Sequence, residues 1–182
     1  NIAYVEETGR YFLFGHLFDM QTQTDLTEPK LANAAPKISW DMLNLNNAIK
    51  TVKGNGSRKM AVFSDPDCPF CKKLEVTLES VKDVTIYTFL MPLVQLHPQA
   101  PQKSVAVWCA KDRSAAWSAL MLKGQVAQGT CDNPIEDNLR FAAANQINGT
   151  PSMIFEDGTL VPGATSLERI ESLLSRKVEG AK

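Results

Sequence analysis

Apolar runs, IAYV and YFLF, stand on both sides of the polar Glu6-Glu7-Thr8-Gly9-Arg10 in the stretch IAYVEETGRYFLFG. Two short runs rich in aromatic and branched residues around a turn with glycine predict a hairpin from about Ile2 to Phe14. A lone hairpin is marginal in water. Residues 1–18 therefore need a partner surface, from sequence upstream, from a second chain or from the rest of this one. The next stretch, QTQTDLTEPKLANAAPK, is polar and holds Pro29 and Pro36, which predicts a linker with a short helix near Leu31 and a domain boundary near Pro36.

Beyond Pro36 the pattern becomes alternating strands and helices. Ser39 to Leu45 reads as a short helix capped by Ser39, AIKTV as a strand, GNGS as a turn and KMAVFS as a buried strand. A helix over residues 68–82 follows, because Cys71, Leu74, Leu78 and Val81 recur at three and four, the spacing of one buried face. VTIYTFL, residues 84–90, then completes a βαβ unit. Helical periodicity from Pro101 to Lys123 breaks near Asp112 and predicts two helices, with PIEDNLRFAAANQI as a third. SMIFEDGTLVPG predicts two strands joined at Asp157-Gly158. The last helix, about Ser166 to Arg176, turns Leu167, Ile170, Leu173 and Leu174 inward.

With 182 residues, 44% of them apolar, the chain can bury a core without covalent help. A formal net charge of -1 and the lack of a basic block argue against a nucleic-acid partner and for a small or protein substrate. No apolar run approaches the roughly 18 residues of a spanning helix. Asn1 stands where an initiating Met would be, so a processed form or a piece of a longer protein is expected. Four cysteines, one close pair and one distant, favour an oxidising compartment.

The close pair, Cys68 and Cys71 in FSDPDCPFCKKLE, admits three readings. Zinc needs four ligands, and here Cys109 and Cys131 stand alone while His16 and His97 lie far apart. A structural bridge closing so short a loop restricts the unfolded chain little. The redox reading draws on position: Cys68 falls at the first turn of a helix after a buried strand, where unpaired N–H groups and the helix dipole favour a thiolate. Pro69 suits an early helical position. Cys71, on the same face, would be the buried resolving thiol. Asp65 and Asp67 oppose a thiolate by like charge. In NGTPS, Thr150-Pro151 at a strand entrance is a candidate cis peptide beside which an extended chain could pair.

Taken together, VFSDPDCPFCKKL, VWCAKDRSAAW, GTCD and NGTPSMIFEDGTLVPG resemble the active-site strand and helix, the second cysteine pair and the cis-proline loop of bacterial periplasmic disulfide isomerases of the DsbC/DsbG type, in the thioredoxin superfamily. The resemblance implies an α/β thioredoxin fold with an inserted helical subdomain at about 98–147. It implies catalytic domain 37–182, linker 19–36 and, in 1–18, the C-terminal hairpin of a partial N-terminal dimerisation domain. It implies Cys68 as nucleophile, Cys71 as resolving thiol, and Pro69, Phe70, Thr150 and Pro151 as substrate contacts. Cys109 and Cys131 would form a structural disulfide closing a loop of about 22 residues, worth roughly 3 kcal/mol. No metal and no cofactor are expected. Expected partners are unfolded or misoxidised secreted proteins, an inner-membrane thiol reductant of the DsbD type and, where the N-terminal domain is complete, a second copy. The expected location is the periplasm.

Two details bear on subtype. Val62 occupies the place where thioredoxin carries a buried acid, and Pro69-Phe70 is nearer to the Pro-Tyr of DsbG than to the Gly-Tyr of DsbC. Rival readings are a DsbG-like reductase of sulfenylated cysteines, a strong oxidant and a chaperone-like binding module. Trp108 and Trp117 are expected in the core, His16 and His97 in solvated loops, and Phe70 at an exposed tip.

Overall fold

The structure, a computed structural model, describes residues 3–22, 24–27 and 37–176. The chain divides into two compact units, Asn1–Lys37 and Ile38–Lys182. In the first, β1 (Ala3–Val5) pairs antiparallel with β2 (Phe12–Phe14), Ala3 opposite Phe14, and Gly9 takes a positive φ of 71° in the turn. A second hairpin joins β3 (Phe18–Asp19) to β4 (Thr24–Asp25) within the stretch read mostly as linker. Its polar residues make a turn: the Asp19 carboxylate accepts from the N–H groups of Gln21 at 2.8 Å and Thr22 at 3.2 Å. The helix expected near Leu31 lies outside the described residues.

In the second unit the helix expected from Ser39 to Leu45 is instead two 3-10 turns, Trp40–Met42 and Leu45–Asn47. Leu43 is extended between them and buried in the core, and Ser39 makes no side-chain cap. Burial of Ile38 and Leu43 against the sheet outweighs the local helical pattern.

A five-stranded sheet carries the unit: β5 (Ile49–Lys53), β6 (Arg58–Ser64), β7 (Val84–Leu90), β8 (Ser152–Phe155) and β9 (Leu160–Pro162), in the order β5-β7-β6-β8-β9. Only β6 and β7 run parallel, Arg58 opposite Val84 and Ser64 opposite Leu90, and α1 (Pro69–Leu78) crosses between them. The other pairs are antiparallel. Residues of β6 alternate between the faces. Met60 and Val62 pack with Leu74 and Leu78 of α1 and with Ile170, Leu173 and Leu174 of α5 (Leu167–Leu174). Ala61 and Phe63 face the other way, with Phe63 stacked on Phe89 and on Phe141 of α4 (Ile135–Ala144).

The helix α1 stops four residues short of the expected Lys82. Tighter bonds replace the α-helical ladder, Ser80 N–H to Thr77 and Val81 N–H to Leu78, both at 3.1 Å, and Asp83 then takes a φ of 51°. Val81 nonetheless stays buried on the predicted face. The Lys53 ammonium donates to the Leu78 carbonyl at 2.6 Å, closing the helix end.

Between β7 and β8 lie α2 (Ala100–Trp108), α3 (Arg113–Lys123) and α4. Asp112 caps α3 by accepting from Ala115 N–H at 2.9 Å, which explains the break in periodicity there. Trp108 and Trp117 are buried among Leu120, Met121, Ile135 and the two thiols.

Candidate active site

Strand β6 delivers Ser64 and Asp65 to one end of the sheet, and the chain turns there into α1. Cys68 is the N-cap of that helix, with extended backbone and no side-chain cap, and Pro69 fills the first helical position where a missing N–H costs nothing. Both thiols are free and buried, Cys71 within the core and Cys68 with 5% of its surface exposed. The Cys68 thiol donates to the Thr150 carbonyl at 3.4 Å across 82 residues of sequence. The Thr150-Pro151 bond is cis, and the Pro151 carbonyl accepts from Gly163 N–H at 2.7 Å, which ties the loop to the end of β9. Phe70 stands 63% exposed beside the pair.

The two sulfurs differ in surroundings. Burial pushes the Cys71 thiol up to about 12. The Ser64 hydroxyl, the Asp65 N–H at 3.5 Å and the Thr150 hydroxyl offset part of this, while charge on Cys68 adds to it. The two hydroxyls are buried and have no other hydrogen-bond partner among the described residues. Cys71 is thus a protonated thiol at neutral pH, kept in the interior behind Cys68.

Asp65 organises the approach to the helix. Its side chain is fully buried: one oxygen accepts from Asp67 N–H at 2.7 Å, and the other accepts from Leu93 N–H at 2.6 Å and lies 3.0 Å from His97 Nδ1. The Asp65 carbonyl accepts from Cys68 N–H at 3.2 Å. His97, expected as a solvated loop residue, is therefore mostly buried, with 21% of its side chain exposed, because a buried carboxylate needs every donor it can reach. His16 remains half-exposed but is hydrogen-bonded to Asp25 at 2.6 Å. Lys103 of α2 reaches Asp67 at 2.5 Å.

Reading the sequence missed Ser64, the Asp65–His97 pair and Lys103. The only local signal was two acids before Cys68, weighed as like charges without partners. Val62, where a buried acid was noted as missing, is apolar core, and a half-buried acid sits elsewhere: Glu75 of α1 accepts from Trp117 Nε1 at 2.7 Å, its pKa raised by burial. Away from the thiol pair, Cys109 and Cys131 form a disulfide from the end of α2 to the loop before α4. Among the described residues, no cluster of three or more His, Cys, Asp or Glu side chains could hold a metal ion.

Comparison with known proteins fits this geometry. Residues 45–177 match the thioredoxin-like domain family, and residues 1–28 match the disulfide bond isomerase protein N-terminal domain. A probable thiol:disulfide interchange protein DsbC of Bordetella parapertussis is 37% identical over 175 residues, which is 96% of this chain and 62% of the relative. The thiol:disulfide interchange protein DsbC of Escherichia coli is 28% identical over 166 residues, 89% of this chain and 68% of the relative. The crystal structure of a disulfide interchange protein from Neisseria gonorrhoeae superposes with a TM-score of 0.72 at 41% identity, over 76% of this chain and 100% of the other. The chain thus spans about three fifths of the length of the Bordetella relative (62%).

Proposed function

Because this chain belongs to the thioredoxin-like family, among disulfide interchange proteins of the DsbC/DsbG type, we propose that it exchanges disulfides in secreted proteins, with Cys68 as nucleophile and Cys71 as resolving thiol. The observation that carries this reading is the Cys68 thiol lying against the carbonyl of Thr150, next to cis-Pro151, with a protonated Cys71 buried behind it.

The Cys68 thiolate attacks one sulfur of a client disulfide. A bond forms between Cys68 and that sulfur, the client bond breaks, and the departing client sulfur leaves as a thiolate with the electron pair. If another client thiolate attacks the same sulfur, Cys68 is released as thiolate and the client has been re-paired with no net redox change. If Cys71 gives up its proton and attacks Cys68 instead, the client leaves as a dithiol and the pair becomes a disulfide. Two electrons from a thiol reductant of the DsbD type then restore it. Phe70, Pro69, Thr150 and Pro151 border the nucleophile and would contact the client chain. The periplasm supplies both clients and reductant.

The test is turnover of a scrambled multi-disulfide substrate by two variants. Cys68→Ala is expected to lose both reduction and isomerisation, while Cys71→Ala should retain attack and accumulate mixed disulfides with the client. Full turnover by Cys68→Ala would end this reading. The Pro69-Phe70 pair favours a second reading, reduction of single sulfenylated cysteines, which a sulfenylated one-cysteine substrate tests. The exposed Phe70 supports a third, a binding module for unfolded chains, under which Cys68→Ala would still suppress aggregation.

A further inference from the structure

Two carboxylates precede Cys68 within three residues, and by themselves both would oppose the thiolate that the proposed exchange requires. Neither is left alone. Both are met by donors from one distant stretch of chain, residues 93–103, which runs from the loop after β7 into α2. Leu93 N–H and His97 Nδ1 meet Asp65 at 2.6 and 3.0 Å, and Lys103 Nζ meets Asp67 at 2.5 Å. The Lys103–Asp67 pair is not a solvated surface contact: about a fifth of each side chain is exposed, 21% and 19%. A pair so placed is screened less by salt and water than an exposed one. Asp67 also gives its N–H to Asp65, so the two acids form one connected unit ahead of the helix.

We propose that residues 93–103 are a countercharge arm for the redox pair, in which Lys103 is a positioning residue that neutralises the carboxylate next to Cys68 and keeps that sulfur nucleophilic. This rests on the proposed disulfide exchange through Cys68. The Lys103 end of the arm belongs to the helical insertion, which gives α2 a chemical role besides packing: it supplies a positive charge that the loop before Cys68 lacks. The titratable groups next to the pair in the chain or joined to it through these contacts are Cys71, Lys72 and Lys73 on the same helix, Asp65 and Asp67 on the preceding loop, His97 on the loop after β7 and Lys103 on α2. Of these, Lys103 is the cation bonded to one of the two carboxylates.

Alkylation of the reduced protein with iodoacetamide across a pH series, with Cys68 followed by mass spectrometry, reads the thiolate directly. Lys103→Met is expected to move the midpoint upward by roughly half a pH unit to one unit at low salt. Lys103→Arg should hold the unaltered profile. Asp67→Asn placed in the Lys103→Met background should bring the midpoint back to within about 0.2 unit of the unaltered protein, a rescue that a merely structural lysine would not show. A Lys103→Met profile that superposes on the unaltered one overturns the proposal, and so does a double variant that stays with the single one. Client turnover separates this failure from a deeper one. If the unaltered protein exchanges disulfides through Cys68 while the alkylation profiles coincide, the arm alone is wrong; if Cys68→Ala turns over normally, both readings fall.

Discussion

At the residue scale, Glu75 shows how burial acts on an acid that chemistry does not use. Its carboxylate is drawn into α1's buried side by the Trp117 indole and stands near Lys53 and Glu79. Burial dominates and raises its pKa above the ordinary 4.5. An acid that binds its proton more tightly in the folded chain than in the unfolded one contributes stability below its unfolded pKa and loses it as pH rises through the folded value. Glu75→Gln keeps an acceptor for the indole without the charge. It should melt above the unaltered protein by about 2 °C or more near pH 7, with the gap closing near pH 4. Thermal melts at the two pH values decide it, and a gap independent of pH would remove the argument. Cys68 and Cys71 stood out in sequence by their spacing at a helix start, whereas the cis bond at Thr150-Pro151 gained weight only in combination with that pair. The partners of Asp65 and Asp67 were not legible there, since His97 and Lys103 stand 32 and 36 positions away and are brought in only by the turn of β7 into α2.

At the scale of elements, strands buried on both faces could be read almost to the residue: VTIYTFL is β7 from end to end, with six of its seven residues buried. Helix ends were harder. A repeating apolar face shows which residues look inward and says nothing of where i→i+3 bonds replace the ladder, so α1 was read to Lys82 when it stops at Leu78. The 3-10 turns at Trp40 and Leu45 escaped for the opposite reason, as three-residue elements are too short to show a period. Among the helices of the insertion, the bond between Cys109 and Cys131 spans 22 positions and joins the end of α2 to the approach to α4. Replacing both cysteines with serine should cost about 3 kcal/mol of unfolding free energy by the chain-entropy argument. Chemical denaturation measures this, and because Lys103 lies on α2 it is best done with the alkylation profile of Cys68 in parallel. A loss under about 1 kcal/mol would mean that the helices hold the insertion together without the bond.

At the scale of the whole molecule, the two units pose different problems. Ile38–Lys182 covers its sheet on both faces with its own helices. Among the described residues of Asn1–Lys37, Val5, Tyr11, Phe12, Leu13, Phe14, Leu17, Phe18 and Met20 are all exposed on hairpins of two or three residues per strand. Phe12, Leu13 and Phe14 are consecutive, so both faces of β2 present apolar side chains. Strands so short bury too little to hold themselves, and an apolar patch of that extent calls for a surface that covers it. The match of residues 1–28 to the disulfide bond isomerase N-terminal domain supports a second copy as that surface, and closed two-fold pairing is the commonest way identical subunits do this. Sedimentation velocity should then find a dimer, and Phe12→Asp combined with Phe14→Asp should give a monomer. Alkylation of Cys68 should be unchanged in that variant, because the thiol pair and its countercharges all lie in the other unit. A monomer before substitution, or a dimer that survives two buried charges, would move the search for what covers these strands away from self-association.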